Sequence, residues 1–422
     1  MGRKFDDLIG GEEAIDHEAE VAYTSKTPRK ERYMTNRISS LATFILLAGV
    51  GAVFCETPPP VLTIQPAPER PIIELRDGRE FLNFDLIVRN ESHLTLRISE
   101  VQLNVFDSAH RLLLRRSINT DAFAPSIAVI GKQTFRPGES LDVFNPFYVF
   151  ESTLPLAQLE FSFCMLRESN ELEQQRNSHR LPGDCDFRQQ VSIVPRPYDN
   201  KTALILPLQG EIFVWEGHDF YAHHFRVPLG NPNVQSLGIN ANSNNFASDF
   251  IYVDKQGLAY HDDPQKLENW YSYGQPVYAP GAGVVLKMAN DIPDNWFENT
   301  EATKIGHPKL AVGTDPKDIG NFVLIDHQDG EYSLLVHLKP GSVVVRSGDH
   351  VAQGQQIGRI GFAGDSIFPH LHYCLMEGPE VFKAWGLPAY FSHFRRVFGA
   401  ISIGVNNAPV DSGEFLKSDF GH

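Results

Sequence analysis

Past residue 40 the chain has no cluster of lysine and arginine, and its formal net charge is -15. A phosphate backbone is held by clustered positive charge, so nucleic acid is not expected as a partner. No internal repeat is visible, and glycines 354, 358, 361 and 364 open no strand-to-helix turn of the kind that cradles phosphate. They are expected in turns between short strands. Cysteine is scarce, with four residues at 55, 164, 185 and 374. Cys164 and Cys185 are the one pair close in sequence inside a loop-rich stretch, so either a bridge between them or two reduced buried thiols is expected, with Cys374 a small packed residue. Charged residues make up only 21% of the chain and hydrophobic ones 42%, so disorder cannot dominate. At 422 residues the chain is too long for one typical core and suits two folded domains with flanking segments.

Residues 38–55, ISSLATFILLAGVGAVFC, run without a charge over 18 positions. That is close to the ~20 residues a helix needs to cross a bilayer. Lys26, Arg29, Lys30, Arg32 and Arg37 precede the run, and Glu56 with three prolines follows it. The positive-inside rule then places the N-terminus in the cytoplasm and the remainder outside, in a bacterial periplasm or its equivalent. A cleaved signal peptide is the rival, but its n-region would be long and Val53-Phe54-Cys55 lacks small-residue spacing.

The expected organisation is a polar cytoplasmic tail at 1–37, a membrane anchor at 38–55, a Pro-rich linker at 56–70, a β-sandwich at 71–197 and a second β domain at 203–422. Within 71–197, period-2 runs at 81–88, 94–106, 112–118, 141–148 and 159–164 are separated by Asn, Asp, Gly and Pro, a pattern resembling an Ig-like sandwich that serves as spacer or binding module. The fold class is thus all-β after one transmembrane helix. Two stretches of the last domain, 255–271 and 291–319, carry charges, Pro, Gly and Asn and read as loops around its rim.

His370-Leu371-His372 is the sharpest chemical signal. On a strand, alternate side chains share a face, so both imidazoles can meet one ion while Leu371 turns away. His337 sits in another apolar strand-like run, where a polar side chain needs a reason; a hydrogen-bonded core histidine is the bland one.

Four blocks in order then resemble the M23 or LytM-type metallopeptidases: Gly320-Asn321-x-Val323-x-Ile325-Asp326-His327, Tyr332-x4-His337-Leu338, Val351-x2-Gly354-x2-Ile357-Gly358-x2-Gly361-x2-Gly364-x-Ser366, and Pro369-His370-Leu371-His372. Pro276-Val277-x-Ala279-Pro280-x2-Gly283-Val284-Val285 is similar to the same family's first hairpin. The resemblance covers about 205–385 and implies a LytM-type antiparallel sheet holding one Zn2+. It implies Asp249 and His372 as ligands, with His337 and His370 as the catalytic histidines flanking the reacting water. Zinc acidifies such a water and polarises a carbonyl, which suits peptide hydrolysis. The family's HxxxD block departs here, because Asn245 stands four before Asp249. An amide oxygen is a poorer zinc ligand than imidazole. His223 or His224 can supply a replacement if a loop returns it to the site; otherwise they are surface or packed histidines.

What the resemblance implies is a membrane-anchored endopeptidase cutting peptide cross-links in peptidoglycan. The alternative is an impaired LytM domain, disabled at Asn245, that binds cell wall or activates a partner hydrolase. A third reading leaves the work to the sandwich, in envelope adhesion or assembly.

Overall fold

Strand Leu96–Phe106 buries Leu96, Ile98, Val101, Leu103 and Val105 completely, and this apolar spine organises the first β region. It lies between Leu112–Asn119 and Gln158–Arg167, and Phe187–Ile193 adds the outer strand. A smaller sheet, ordered Leu62–Ala67, Asp85–Asn90, Ser140–Phe144, contributes Leu62, Leu86, Val88, Leu141 and Val143 to the same core. Side chains from both sheets thus fill one hydrophobic interior. Cys164 and Cys185 are bridged, with Cα atoms 5.4 Å apart, which ties the turn before Phe187–Ile193 back to its neighbour strand.

The structure, a computed structural model, describes residues 61–121, 123–177, 180–181, 183–308, 319–418 and 420. The expected tail at 1–37 and membrane span at 38–55 lie outside the described residues. Among those described, no helix is long and apolar enough to cross a membrane. The fold is dominated by β-strands with short helical turns, in keeping with the all-β expectation.

Part of the expected linker is structured. Residues Leu62–Ala67 form a strand paired with Asp85–Asn90 despite Pro66. The strand has a partner on one side only, and an edge strand tolerates a residue that cannot donate to a ladder. A third sheet, ordered Arg196–Pro197, Ile72–Arg76, Arg79–Phe81, Val149–Glu151, joins this region to the C-terminal one, and Ile72 belongs to the C-terminal core.

The C-terminal region is built on an antiparallel sheet of eleven strands. Its centre runs Asn321–Asp326, Tyr332–Leu338, Leu371–Met376, Ser248–Ile251, Gly210–Glu216. Alternation separates the faces: Leu371, Tyr373 and Leu375 enter the main core, whereas Cys374 and Met376 join a smaller cluster on the opposite face. His370 and His372 share the parity of that second face.

Candidate metal centre

Asp249 lies in strand Ser248–Ile251, directly opposite His372 in the register with Leu371–Met376. Phe250, its neighbour, is fully buried in the main core, so Asp249 must face the other way. Its Oδ1 is 2.9 Å from His372 Nδ1 and 3.5 Å from His370 Nε2, and its Oδ2 is 3.4 Å from His224 Nε2. The rings of His224 and His372 are 4.8 Å apart, and those of His337 and His370 4.7 Å. One carboxylate and four imidazoles therefore converge, each no more than 7% exposed.

His337 reaches this group through a break in its strand. Asn321 pairs with Leu338 and Phe322 with Val336, so His337 is the extra residue of a bulge, at φ 63°. Strict alternation would group it with Leu335, in the main core. The left-handed bulge residue interrupts that alternation and brings the ring to His370. Its Nδ1 is 2.9 Å from the Ala363 carbonyl. A carbonyl only accepts, so Nδ1 carries the proton and Nε2 the lone pair. Gly320 and Gly364 make this placement possible: a Cβ on Gly320 would meet the Ala363 oxygen at 2.3 Å, and one on Gly364 the Gly320 nitrogen at 2.3 Å. His370 is oriented likewise, its Nδ1 lying 2.8 Å from the Phe368 carbonyl and 3.2 Å from Ser366 Oγ. Its Nε2 is left facing Asp249. Phe368 also stacks on Trp270, where the rim loops gather Phe297 and Phe362 into an aromatic cluster.

Burial alone would raise the pKa of Asp249, but the neighbouring His224 and His370, with hydrogen bonds from His224 and His372, hold it well below the ordinary carboxylate value. Burial depresses His337 most, reinforced by His370 and His372. His370 and His372 are also depressed by burial, partly offset by Asp249. The folded site thus keeps these imidazoles neutral, the state in which they ligate a metal or accept a proton.

Stability inherits a pH dependence from these shifts. An unfolded histidine protonates below its ordinary value of 6.5, while these folded ones resist, so unfolding takes up protons as pH falls. Stability is full above 6.5 and declines below it; Asp249, protonating at 3.8 when unfolded, extends the loss in the same direction. The metal-free protein should show a Tm that is level from about pH 8 to 7 and falls steadily below about 6.5. Thermal melts in chelator test this, and a Tm that climbs on acidification would contradict it.

Asn245 is buried but lies elsewhere. It lines a narrow cavity with Asp85, Phe225, Arg226, Asn242 and Trp385, a lining that includes none of the converging histidines. The next residue, Phe246, is left-handed at φ 66° and buries its ring against Phe225. His224 stands at Asp249 instead, on the 3-10 turn His223–Phe225. His223, His224 and Asp249 offer ligand atoms within 4.8 Å of one another, although His223 is exposed and pairs with Glu216 at 3.1 Å. The donor set suits zinc, which favours imidazole nitrogen and carboxylate oxygen. Nε2 is the nitrogen of His224 that faces Asp249, while its Nδ1 is buried with no hydrogen-bond partner among the described residues. Phe368 and Ala363, whose carbonyls orient the histidines, carry no signal of their own in sequence, whereas Ser366 closes one of the four blocks quoted above.

Residues 269–383 match peptidase family M23. The matched stretch holds His337, His370 and His372 and begins after Asp249. Over 103 residues the chain is 32% identical to the peptidoglycan DD-endopeptidase ShyA of Vibrio cholerae serotype O1, covering 24% of this chain and 18% of that protein's length. Among solved structures it is similar to a zinc-containing peptidase from Vibrio cholerae at 13% identity, over 72% of this chain and 80% of that one, with a TM-score of 0.24. It is also similar to the SpoIIQ–SpoIIIAH pore-forming complex at 17% identity, over 44% of this chain and 89% of that one, again at 0.24. Scores this low carry no weight for fold or function.

Proposed function

With residues 269–383 forming a peptidase family M23 domain, we propose that this chain is a zinc endopeptidase that hydrolyses peptide bonds in peptidoglycan cross-links. The observation that carries the reading is the buried convergence of Asp249, His337, His370 and His372 in one site. Asp249 and His372 are assigned as zinc ligands. A zinc ion held there would supply Lewis acidity, polarising the scissile carbonyl and acidifying a water. His370 and His337 present neutral Nε2 atoms to the reacting group. One takes a proton as water adds to the carbonyl carbon, and the proton passes to the departing amine as the C–N bond breaks.

The remaining assignments belong to the same proposal. Residues 38–55 anchor the chain with its C-terminal regions outside the cytoplasm, and residues 71–197 form an Ig-like sandwich beside the peptidase. A second reading, a wall-binding domain or activator of a partner hydrolase, is favoured by Asn245 alone.

The test is the full chain, in detergent, with isolated peptidoglycan. New amino groups should be released, release should stop with a chelator, and stoichiometric zinc should restore it. Binding without release at any zinc level would favour the second reading.

A further inference from the structure

Residues 218–230 form a strap across the metal centre whose ends are held by the first β region. At one end His218 Nε2 meets Glu74 Oε2 at 2.6 Å, both fully buried. At the other, the Gly230 amide donates to Asp142 Oδ1 at 2.8 Å. Between them Phe220 stacks on Tyr148 at 3.7 Å with 8° between the planes, and the Arg226 guanidinium lies 3.7 Å over Phe144. Glu74, Asp142, Phe144 and Tyr148 all come from the first region. His224 is at the middle of the strap, and its own carbonyl accepts from buried Asn242 Nδ2 at 2.7 Å. Little freedom remains for that residue.

We propose that His224 is the third zinc ligand, taking the place that Asn245 leaves unfilled, and that the first β region serves as the platform holding this ligand in position. The inference rests on the zinc site proposed above. Asp249 divides its oxygens between the two histidines, Oδ1 at 2.9 Å from His372 and Oδ2 at 3.4 Å from His224. Two ligands of a tetrahedral zinc with bonds of about 2.0–2.1 Å lie about 3.3 Å apart, a spacing comparable to both separations, and the rings of His224 and His372 are 4.8 Å apart. The Nε2 side of the buried His224 ring faces Asp249, and the ring packs against that of His372, so the three groups stand together. His223 is a poorer choice, since its side chain is 65% exposed and held by Glu216.

The first region is then more than a spacer. Side chains that orient a ligand without touching the metal typically contribute 10–100-fold to its affinity. Tyr148 and Asp142 act one step further out, through Phe220 and Gly230 of the strap, at a distance in sequence that no local motif spans.

Metal content of the purified full chain distinguishes the outcomes. The wild type should hold one zinc, His224→Ala should lose it, and His223→Ala and Asn245→Ala should keep it. A cooperative thermal melt of His224→Ala close to that of the metal-free wild type rules out misfolding as the cause of the alanine result. Tyr148→Ala with Asp142→Ala should weaken zinc binding about 10-fold, the lower end of what a direct partner of a ligand contributes, in a competition assay with a chromophoric chelator, with all ligands intact. Full zinc in His224→Ala, or loss in His223→Ala alone, overturns the assignment while leaving the zinc site standing. Unchanged affinity in the double variant overturns the platform. A wild type that takes up no zinc overturns both this inference and the function it rests on.

Discussion

Asp249→Ala should empty the site of zinc and reduce peptidoglycan hydrolysis to the level seen without enzyme, the largest effect expected of any single substitution. Among the described residues Asp249 is the carboxylate in contact with the converging imidazoles, touching His224, His370 and His372 at 3.4, 3.5 and 2.9 Å. Removing it takes away a ligand and also the negative charge in direct contact with the imidazoles, which offsets a buried dication that is costly to desolvate. The fold should survive. Burial already depresses His337, His370 and His372, so they stay neutral without a counter-charge near pH 7. Asp249→Asn, which keeps the shape and loses the charge, should behave in the same way. Metal analysis beside a thermal melt checks both: a variant that melts cooperatively and still carries one zinc would remove Asp249 from the centre.

The histidine pair is readable from sequence because strand period is a local property. Leu371 does enter the core while its neighbours face the other side. His337 is readable as an anomaly in an apolar strand, but its direction is not, since the bulge at φ 63° that reorients it depends on pairing with Asn321 and Phe322. The HxxxD block illustrates the opposite limit. Counting four residues back from Asp249 lands on Asn245, whereas the left-handed Phe246 and the strap place His224 at the carboxylate from 25 residues upstream. What holds that strap is a set of contacts between residues 72 to 144 positions apart, from Tyr148 with Phe220 to Glu74 with His218. Nothing in a local window reports them. The strand Leu62–Ala67 escapes for a related reason, because proline density reads as linker until a partner such as Asp85–Asn90 gives the edge a ladder.

His370→Ala should separate chemistry from metal binding. Its Nδ1 is committed to the Phe368 carbonyl and its Nε2 points at Asp249 Oδ1 at 3.5 Å, beyond hydrogen-bond range but close enough for a reacting group to lie beside both. A positioned general base typically contributes about 10²–10⁴-fold, and kcat should fall by that factor while zinc content stays at one. The wild-type pH profile sharpens the assignment. Burial sets the His370 pKa below 6.5, and a bound dication adds to the same direction, so kcat/KM should rise with pH along a limb lying below 6.5 and reach a plateau near neutrality. His337→Ala should lower kcat as well. Because the His337 ring packs 4.7 Å from that of His370 and helps to bury it, its removal admits water and should move the limb upward. If the limb keeps its place in His337→Ala and vanishes in His370→Ala, His370 is the base acting alone. A His370→Ala enzyme that retains full kcat would transfer the role to His337 and leave His370 as a packed histidine beside the metal.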